Sequence, residues 1–257
     1  MRLHYREQGR GPALVILHGL FGSLDNWAFI SQRLAEHFRV FSIDQRNHGQ
    51  SPHDPEMNYA VMAEDLREFL EQHELPSAHV LGHSLGGKVA MQFALQHPER
   101  VDRLMVADMA PRGYERRHDN IFNALLGLNL EAFQTRAQIE SALAPQLPDL
   151  AVRRFLLKGL ARNDSGKLEW KFNLRTLHES YGLLTSAIEW NGVCKKPALF
   201  IRGGKSDYIR EDDSADIHRL FPLAKITTIP NASHWLHADA AEEFLQIIEG
   251  FLRSQST

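Results

Sequence analysis

The chain has 257 residues, 43% of them hydrophobic, and a formal net charge of −3. That length fits one α/β domain with room for an inserted lobe, and the apolar fraction can bury a sizeable core. The mixed charge excludes a basic surface for nucleic acid or anionic lipid, and no apolar run approaches the roughly 18 residues of a membrane span. The single cysteine, Cys194, cannot form an intramolecular disulfide and reads as a packing residue. With no apolar h-region in Met1–Arg6, a reducing cytoplasm is the expected compartment.

Strands are predicted at Leu3–Arg6, Ala13–Leu17, Val40–Ile43, His79–Leu81, Arg103–Ala107, Ala198–Ile201 and Lys225–Ile229. Their short continuous apolar runs suggest strands buried on both faces. Helical patterns lie between them. In Tyr59–Leu75, Tyr59, Met62, Leu66, Phe69 and Leu70 fall on one stripe, with Glu64, Asp65, Arg67, Glu68 and Glu71 facing out. Lys88–His97 and Ala240–Leu252 read as further helices. This alternation predicts a mostly parallel sheet covered by helices on both sides. From about Arg112 to Trp190 no convincing strand appears. Pro145 and Pro148 punctuate that stretch, and Asn163-Asp164-Ser165-Gly166 marks a turn. We expect a core of residues 1–111 and 191–257, with 112–190 as a helical cap at the C-terminal edge of the sheet, where open α/β folds bind ligands.

Gly82-His83-Ser84-Leu85-Gly86 reads G-x-S-x-G between a strand and a helix, the context of a nucleophile elbow. The turn is tight, so small residues must flank the serine. Ser84 needs a base to take its proton. His234 follows the strand Lys225–Ile229 and opens at the same sheet edge. His237 offers no metal pair with it, because no third ligand has suitable spacing. The acid that orients the imidazole has two candidates. Asp207, after Ala198–Ile201, gives the order Ser84, Asp207, His234; Asp108 ends Arg103–Ala107. The oxyanion hole needs two backbone N–H groups, which we assign to Leu85 and to Leu20 in His18-Gly19-Leu20-Phe21-Gly22. His18 and Asp44-Gln45-Arg46-Asn47-His48-Gly49 read as scaffold. Asn231-Ala232-Ser233 reads as a turn, and Gly203-Gly204 lacks phosphate-loop spacing. Phe21, Phe122, Trp170, Phe172 and Trp235 are candidate substrate contacts. Among them, Phe122 (with Leu125 and Leu126), Trp170 and Phe172 lie in the cap.

The segments His18–Trp27, Asp44–Gly49, Gly82–Lys88 and Ala232–Ala238 together resemble the α/β-hydrolase superfamily, and within it the YbfF-type bacterial esterases and related abhydrolase-domain proteins. The likeness covers nearly the whole chain, including Arg116–Asp119 and Trp170–Asn173 in the cap. It implies an esterase or acyl-thioesterase that needs no cofactor and acts on small acyl substrates. It also implies an aspartate at Asp108 linked to the catalytic histidine, with a serine at Ser206 helping to orient the ring. Strand-end position favours Asp207 and the resemblance favours Asp108, so both stay open here. Two other readings use the same residues: a C–C bond hydrolase or menaquinone-pathway lyase, and a ligand receptor that retains a triad. An elbow serine argues against dehalogenase and epoxide-hydrolase chemistry, which needs an aspartate there. Acyl chain length, ester versus thioester preference and oligomeric state are not legible in the sequence.

Overall fold

In the computed structural model, which describes residues 1–254, one sheet of seven strands organises the chain. The strands are β1 (Tyr5–Gln8), β2 (Ala13–Leu17), β3 (Arg39–Ile43), β4 (Ala78–His83), β5 (Val101–Ala107), β8 (Ala198–Gly203) and β9 (Ala224–Ile229). Their spatial order is β1-β3-β2-β4-β5-β8-β9. Only β1 runs antiparallel to its neighbour; every other pairing in this sheet is parallel. The helices of the core are α1 (Ala28–Leu34), α2 (Tyr59–Gln72), α3 (Leu85–Gln96), α9 (Asp213–Leu220), α10 (Leu236–Asp239) and α11 (Ala241–Arg253). The last three residues of the expected 191–257 segment lie outside the described residues.

The runs of apolar residues in the strands serve two cores at once, because successive side chains point to opposite faces. Leu14 and Ile16 pack with Trp27, Ile30, Phe244 and Ile248 beneath α1 and α11. Val15 and Leu17 pack with Phe69, Val89, Ala90 and Phe93 beneath α2 and α3. This is why β2 reads as a continuous apolar run rather than an alternation.

Three expectations need correction. The first strand begins at Tyr5 rather than Leu3. Asp65, read as solvent-facing on α2, is buried and takes both Nε (2.5 Å) and Nη2 (2.9 Å) of Arg46, so its burial comes with a partner. The segment 112–190 is not purely helical. It holds α4 (Asp119–Leu126), α5 (Arg136–Leu143), α6 (Leu150–Lys158), α7 (Leu174–Glu179) and α8 (Tyr181–Leu184), and also an antiparallel hairpin of β6 (Leu160–Arg162) and β7 (Leu168–Trp170). Three-residue strands are too short for a period-2 pattern to register. Their connection is the predicted turn: the Asn163 side-chain oxygen accepts from the Ser165 and Lys167 amides, and Gly166 sits at φ 78°.

Candidate active site

The site forms where four neighbouring parallel strands end. Ser84 follows β4, Asp108 follows β5, Ser206 follows β8, and His234 follows β9. The elbow holds Ser84 at φ 54°, ψ −118°, a conformation a side chain rarely adopts. The flanking glycines are required by contact. A Cβ on Gly82 would stand 2.1 Å from the Gly86 carbonyl oxygen, and one on Gly86 would stand 2.4 Å from that of Leu17. Leu85 is the first residue of α3, so its amide belongs to the turn whose N–H groups have no intrahelical acceptor.

Asp108 is fully buried and left-handed, at φ 49°. Its Oδ1 accepts from the Gly203 amide at 3.0 Å, and its Oδ2 accepts from His234 Nδ1 at 2.8 Å and from the Ser206 hydroxyl. Asp207, the alternative acid, does not pair with His234. Its exposed carboxylate takes both Nη atoms of Arg117 from the cap and lies 3.8 Å from Arg210. Arg117 holds the Asp207 carboxyl below the usual carboxylate range. Of the two carboxylates left open by the sequence, Asp108 is the one bonded to His234, and Asp207 is bonded to Arg117. The loop after β8 presents Ser206 to the Asp108–His234 pair and turns Asp207 outward.

Two further groups hold His234, one at its ring and one at its backbone, and the sequence reading did not single them out. The Tyr208 ring stacks on His234 at 3.7 Å between centroids and 14° between planes. His83, inside the elbow motif, donates from Nε2 to the His234 carbonyl at 2.9 Å. Tyr208 lies two residues past Ser206, and an aromatic at that position beside a strand-end serine was the available signal.

The loop His18–Gly22 is braced by two buried neutral histidines. His18 donates from Nδ1 to the Gly19 carbonyl (2.8 Å) and accepts at Nε2 from the Gln45 amide (3.1 Å). His48 donates from Nδ1 to the Arg46 carbonyl (2.9 Å) and accepts from the Phe21 amide (3.3 Å). Burial pushes their pKa values down to about 4 and about 3. Asp44 accepts from the Leu24 and Gln50 amides. A Cβ on Gly49, at φ +60°, would fall 2.1 Å from Asp44 Cγ. Asn47 reaches the cap: its carbonyl accepts from the Asn173 amide at 2.9 Å. These contacts are those of a scaffold, as the sequence suggested for His18 and Asp44–Gly49.

Two cavities meet at Ser84. The smaller, about 40 Å³, is lined by Ser84, Leu20, Leu85, Tyr59, Tyr114 and Leu184, among others. The larger, about 170 Å³, is lined by Ser84, Leu20, Phe21, His234, Trp235 and Phe155, among others. His118 of the cap borders both. Tyr181 accepts from the Arg117 and His118 amides, so its own proton goes to His118 Nδ1 at 2.6 Å. Burial and the nearby His234 push His118 down to about 4. Phe122, Trp170 and Phe172 line neither cavity, contrary to expectation. Phe122 and Phe172 are buried edge-on against Phe21, at 5.0 and 5.3 Å, and Trp170 stacks on Phe172 at 5.2 Å. Their area is spent on seating the cap behind the loop. Ile121, Val152 and Phe155 supply cap walls of the larger cavity. Among the described residues, no group of three or more His, Cys, Asp or Glu is arranged to hold a metal ion, and no helix is long and apolar enough to cross a membrane.

A family model for the alpha/beta hydrolase fold matches residues 12–241. Esterase YbfF of Escherichia coli (strain K12) is 36% identical over 250 residues, covering 96% of this chain and 95% of that protein. The sn-1-specific diacylglycerol lipase ABHD11 of Mus musculus is 36% identical over 249 residues, covering 94% of this chain and 81% of that protein. Among solved structures, a marine microorganism esterase matches with a TM-score of 0.95 at 42% identity, covering 97% of this chain and 98% of that one. With its elbow, its strand order and a family match across most of its length, the chain belongs to the α/β-hydrolase fold family.

Proposed function

We propose that the chain is a serine carboxylesterase that cleaves small acyl esters, and acyl thioesters by the same route, through an acyl-enzyme. The observation that carries this reading is the 2.8 Å bond from His234 Nδ1 to buried Asp108, in a site where His234 and Ser84 border one cavity. A carboxylate on Nδ1 fixes the tautomer in which Nε2 accepts a proton. Ser84 Oγ attacks the carbonyl carbon as Nε2 takes its proton. The Leu20 and Leu85 amides hold the oxyanion. Collapse breaks the acyl C–O or C–S bond, and His234 returns the proton to the leaving oxygen or sulfur. Water, activated by the same nitrogen, then hydrolyses the acyl-enzyme. Asp108 is the acid of this triad, Ser206 shares its Oδ2, and Asp207 has no part in it. No cofactor enters these steps.

His234 protonates the leaving group, so the leaving group occupies the larger cavity, which His234, Phe21 and Trp235 line. The acyl chain then occupies the smaller one, beside Leu85. Relatives named as an esterase and a lipase support ester chemistry. Buried Cys194 fits a reducing compartment. The test is labelling by a fluorophosphonate together with hydrolysis of nitrophenyl esters and acyl-CoA thioesters. Wild type should be labelled once, at Ser84, and turn over repeatedly. Turnover that stops after about one equivalent would favour a receptor, and hydrolysis confined to a C–C substrate would reject the esterase.

A further inference from the structure

Lys88 is the fourth residue of α3, one helical turn beyond Ser84, and only 1% exposed. Taking an ammonium out of water is costly unless every donor finds a partner. Here each does. Nζ donates to the carbonyls of Pro111 (2.9 Å), Arg112 (2.6 Å) and Ser186 (2.9 Å). Burial pushes the Lys88 pKa down to about 7; in its charged form the side chain has three N–H bonds, and three carbonyls receive them. Arg112, whose carbonyl is one of the three acceptors, pairs through its own Nε with Asp213 at 2.8 Å.

The three carbonyls belong to the two places where the chain enters and leaves the cap. Pro111 and Arg112 lead in, and Ser186 leads out. The two stems also bond to each other, through Tyr114 N–H to Thr185 (2.8 Å) and Ile188 N–H to Pro111 (2.7 Å). Lys88 fastens this paired stem to the helix that carries the elbow. The rings of Tyr59 and Tyr114 flank Nζ at 5.6 and 5.3 Å. Tyr59, Tyr114, Leu184 and Thr185 are also walls of the smaller cavity at Ser84. One ammonium therefore ties the cap stems, the elbow helix and the proposed acyl cavity together.

We infer that Lys88 is a positioning residue that sets the width of the smaller cavity, and thereby the acyl chain length the enzyme accepts. The inference rests on the reading of Ser84 as nucleophile and of that cavity as the acyl site. Lys88→Met keeps an unbranched apolar stem, one heavy atom shorter, and removes all three donors. With the cavity loosened, Lys88→Met should show a raised KM for nitrophenyl butyrate and a kcat/KM optimum moved to longer chains. The expected change in the ratio of successive chain lengths is about fourfold per carbon, the worth of one buried methylene. Fluorophosphonate labelling of Ser84 should continue at a rate close to wild type, because the small probe does not fill the cavity. Lys88→Arg, which keeps the charge, should fall between the two. A folded Lys88→Met with unchanged KM and chain-length profile would overturn the inference. If that variant does not fold, hydrogen exchange on the wild type decides. The Tyr114 and Ile188 amides should exchange as slowly as sheet amides, whereas exchange at the rate of an exposed loop would overturn the clamp. Absence of labelling in the wild type would instead reject the nucleophile itself.

Discussion

Replacing Asp108 by Asn and Asp207 by Asn, each in its own variant, separates the roles of two carboxylates that are near neighbours in the fold. Asp108 is fully buried and accepts three hydrogen bonds, from Gly203, Ser206 and His234. In Asp108→Asn the amide oxygen can keep the Gly203 bond, but an NH₂ group then faces His234 Nδ1. That ring nitrogen must become the acceptor, which places the proton on Nε2 and leaves no base for Ser84. Loss of the acid from a triad in this manner costs about 10⁴ in kcat, or about 5.5 kcal/mol of transition-state stabilisation. Asp207 is 61% exposed and its Arg117 partner 27%, so their ion pair is screened by water. Its loss should cost at most about 1 kcal/mol of stability and leave kcat near wild type. Steady-state kinetics with nitrophenyl butyrate, alongside thermal unfolding, reads both effects. A collapse of kcat in Asp207→Asn with Asp108→Asn near wild type would refute the assignment, as would a double variant that retains activity.

Ser84→Ala should abolish ester hydrolysis and fluorophosphonate labelling with little change in melting temperature; labelling at another serine with activity retained would reject the elbow. Phe172→Ala should cost about 3–5 kcal/mol of stability, since it empties a buried aromatic site, yet leave the chain-length profile unchanged, because Phe172 borders neither cavity. A shifted profile would return Phe172 to the substrate wall. Stability should fall as pH drops below about 6.5. Burial lowers His18 and His118 to about 4, and His48 and His237 to about 3. The unfolded chain therefore binds more protons than the folded one between about 4 and 6.5, and the stability present above that window is lost within it. Each histidine contributes a slope approaching about 1.4 kcal/mol per pH unit there. Urea midpoints from pH 7 to 4.5 measure this, and a flat profile would mean that these rings are protonated in the folded state.

The parts of the fold readable from sequence were those in which one segment answers one constraint. The stripe of Tyr59, Met62, Leu66 and Phe69 buries a helix face, and Ala13–Leu17 feeds a core on each side of the sheet. The glycines of the elbow are fixed by contacts within a few residues of Ser84 and with β2. What escaped depends on distant partners. Asp65 looked exposed because its counter-charge, Arg46, comes from another loop. The cap hairpin is too short to carry a periodic signal. Phe122, Trp170 and Phe172 have the composition of a binding wall, and only packing against Phe21 assigns them to the seat of the cap.

The choice between Asp108 and Asp207 shows why position after a strand is a weak guide to a triad. β5 and β8 are hydrogen-bonded neighbours in parallel register, Ala107 opposite Ile201. Residues just past either strand end reach the same small volume beside His234, and the sequence alone cannot rank two carboxylates there. The backbone can. Asp108 follows β5 directly, turns at φ 49° and is fixed by its own amide to the Ile201 carbonyl at 2.8 Å, so its side chain is driven inward to the Gly203 amide. Asp207 is four residues past the end of β8, beyond the turn closed by Ser206 N–H to the Gly203 carbonyl at 3.0 Å. That turn brings Ser206 to the pair, and the next side chain points outward to Arg117. An inward acid with an amide and a hydroxyl on its remaining lone pairs keeps its charge available to the imidazole. An outward one, already paired with a guanidinium, serves the contact between core and cap instead.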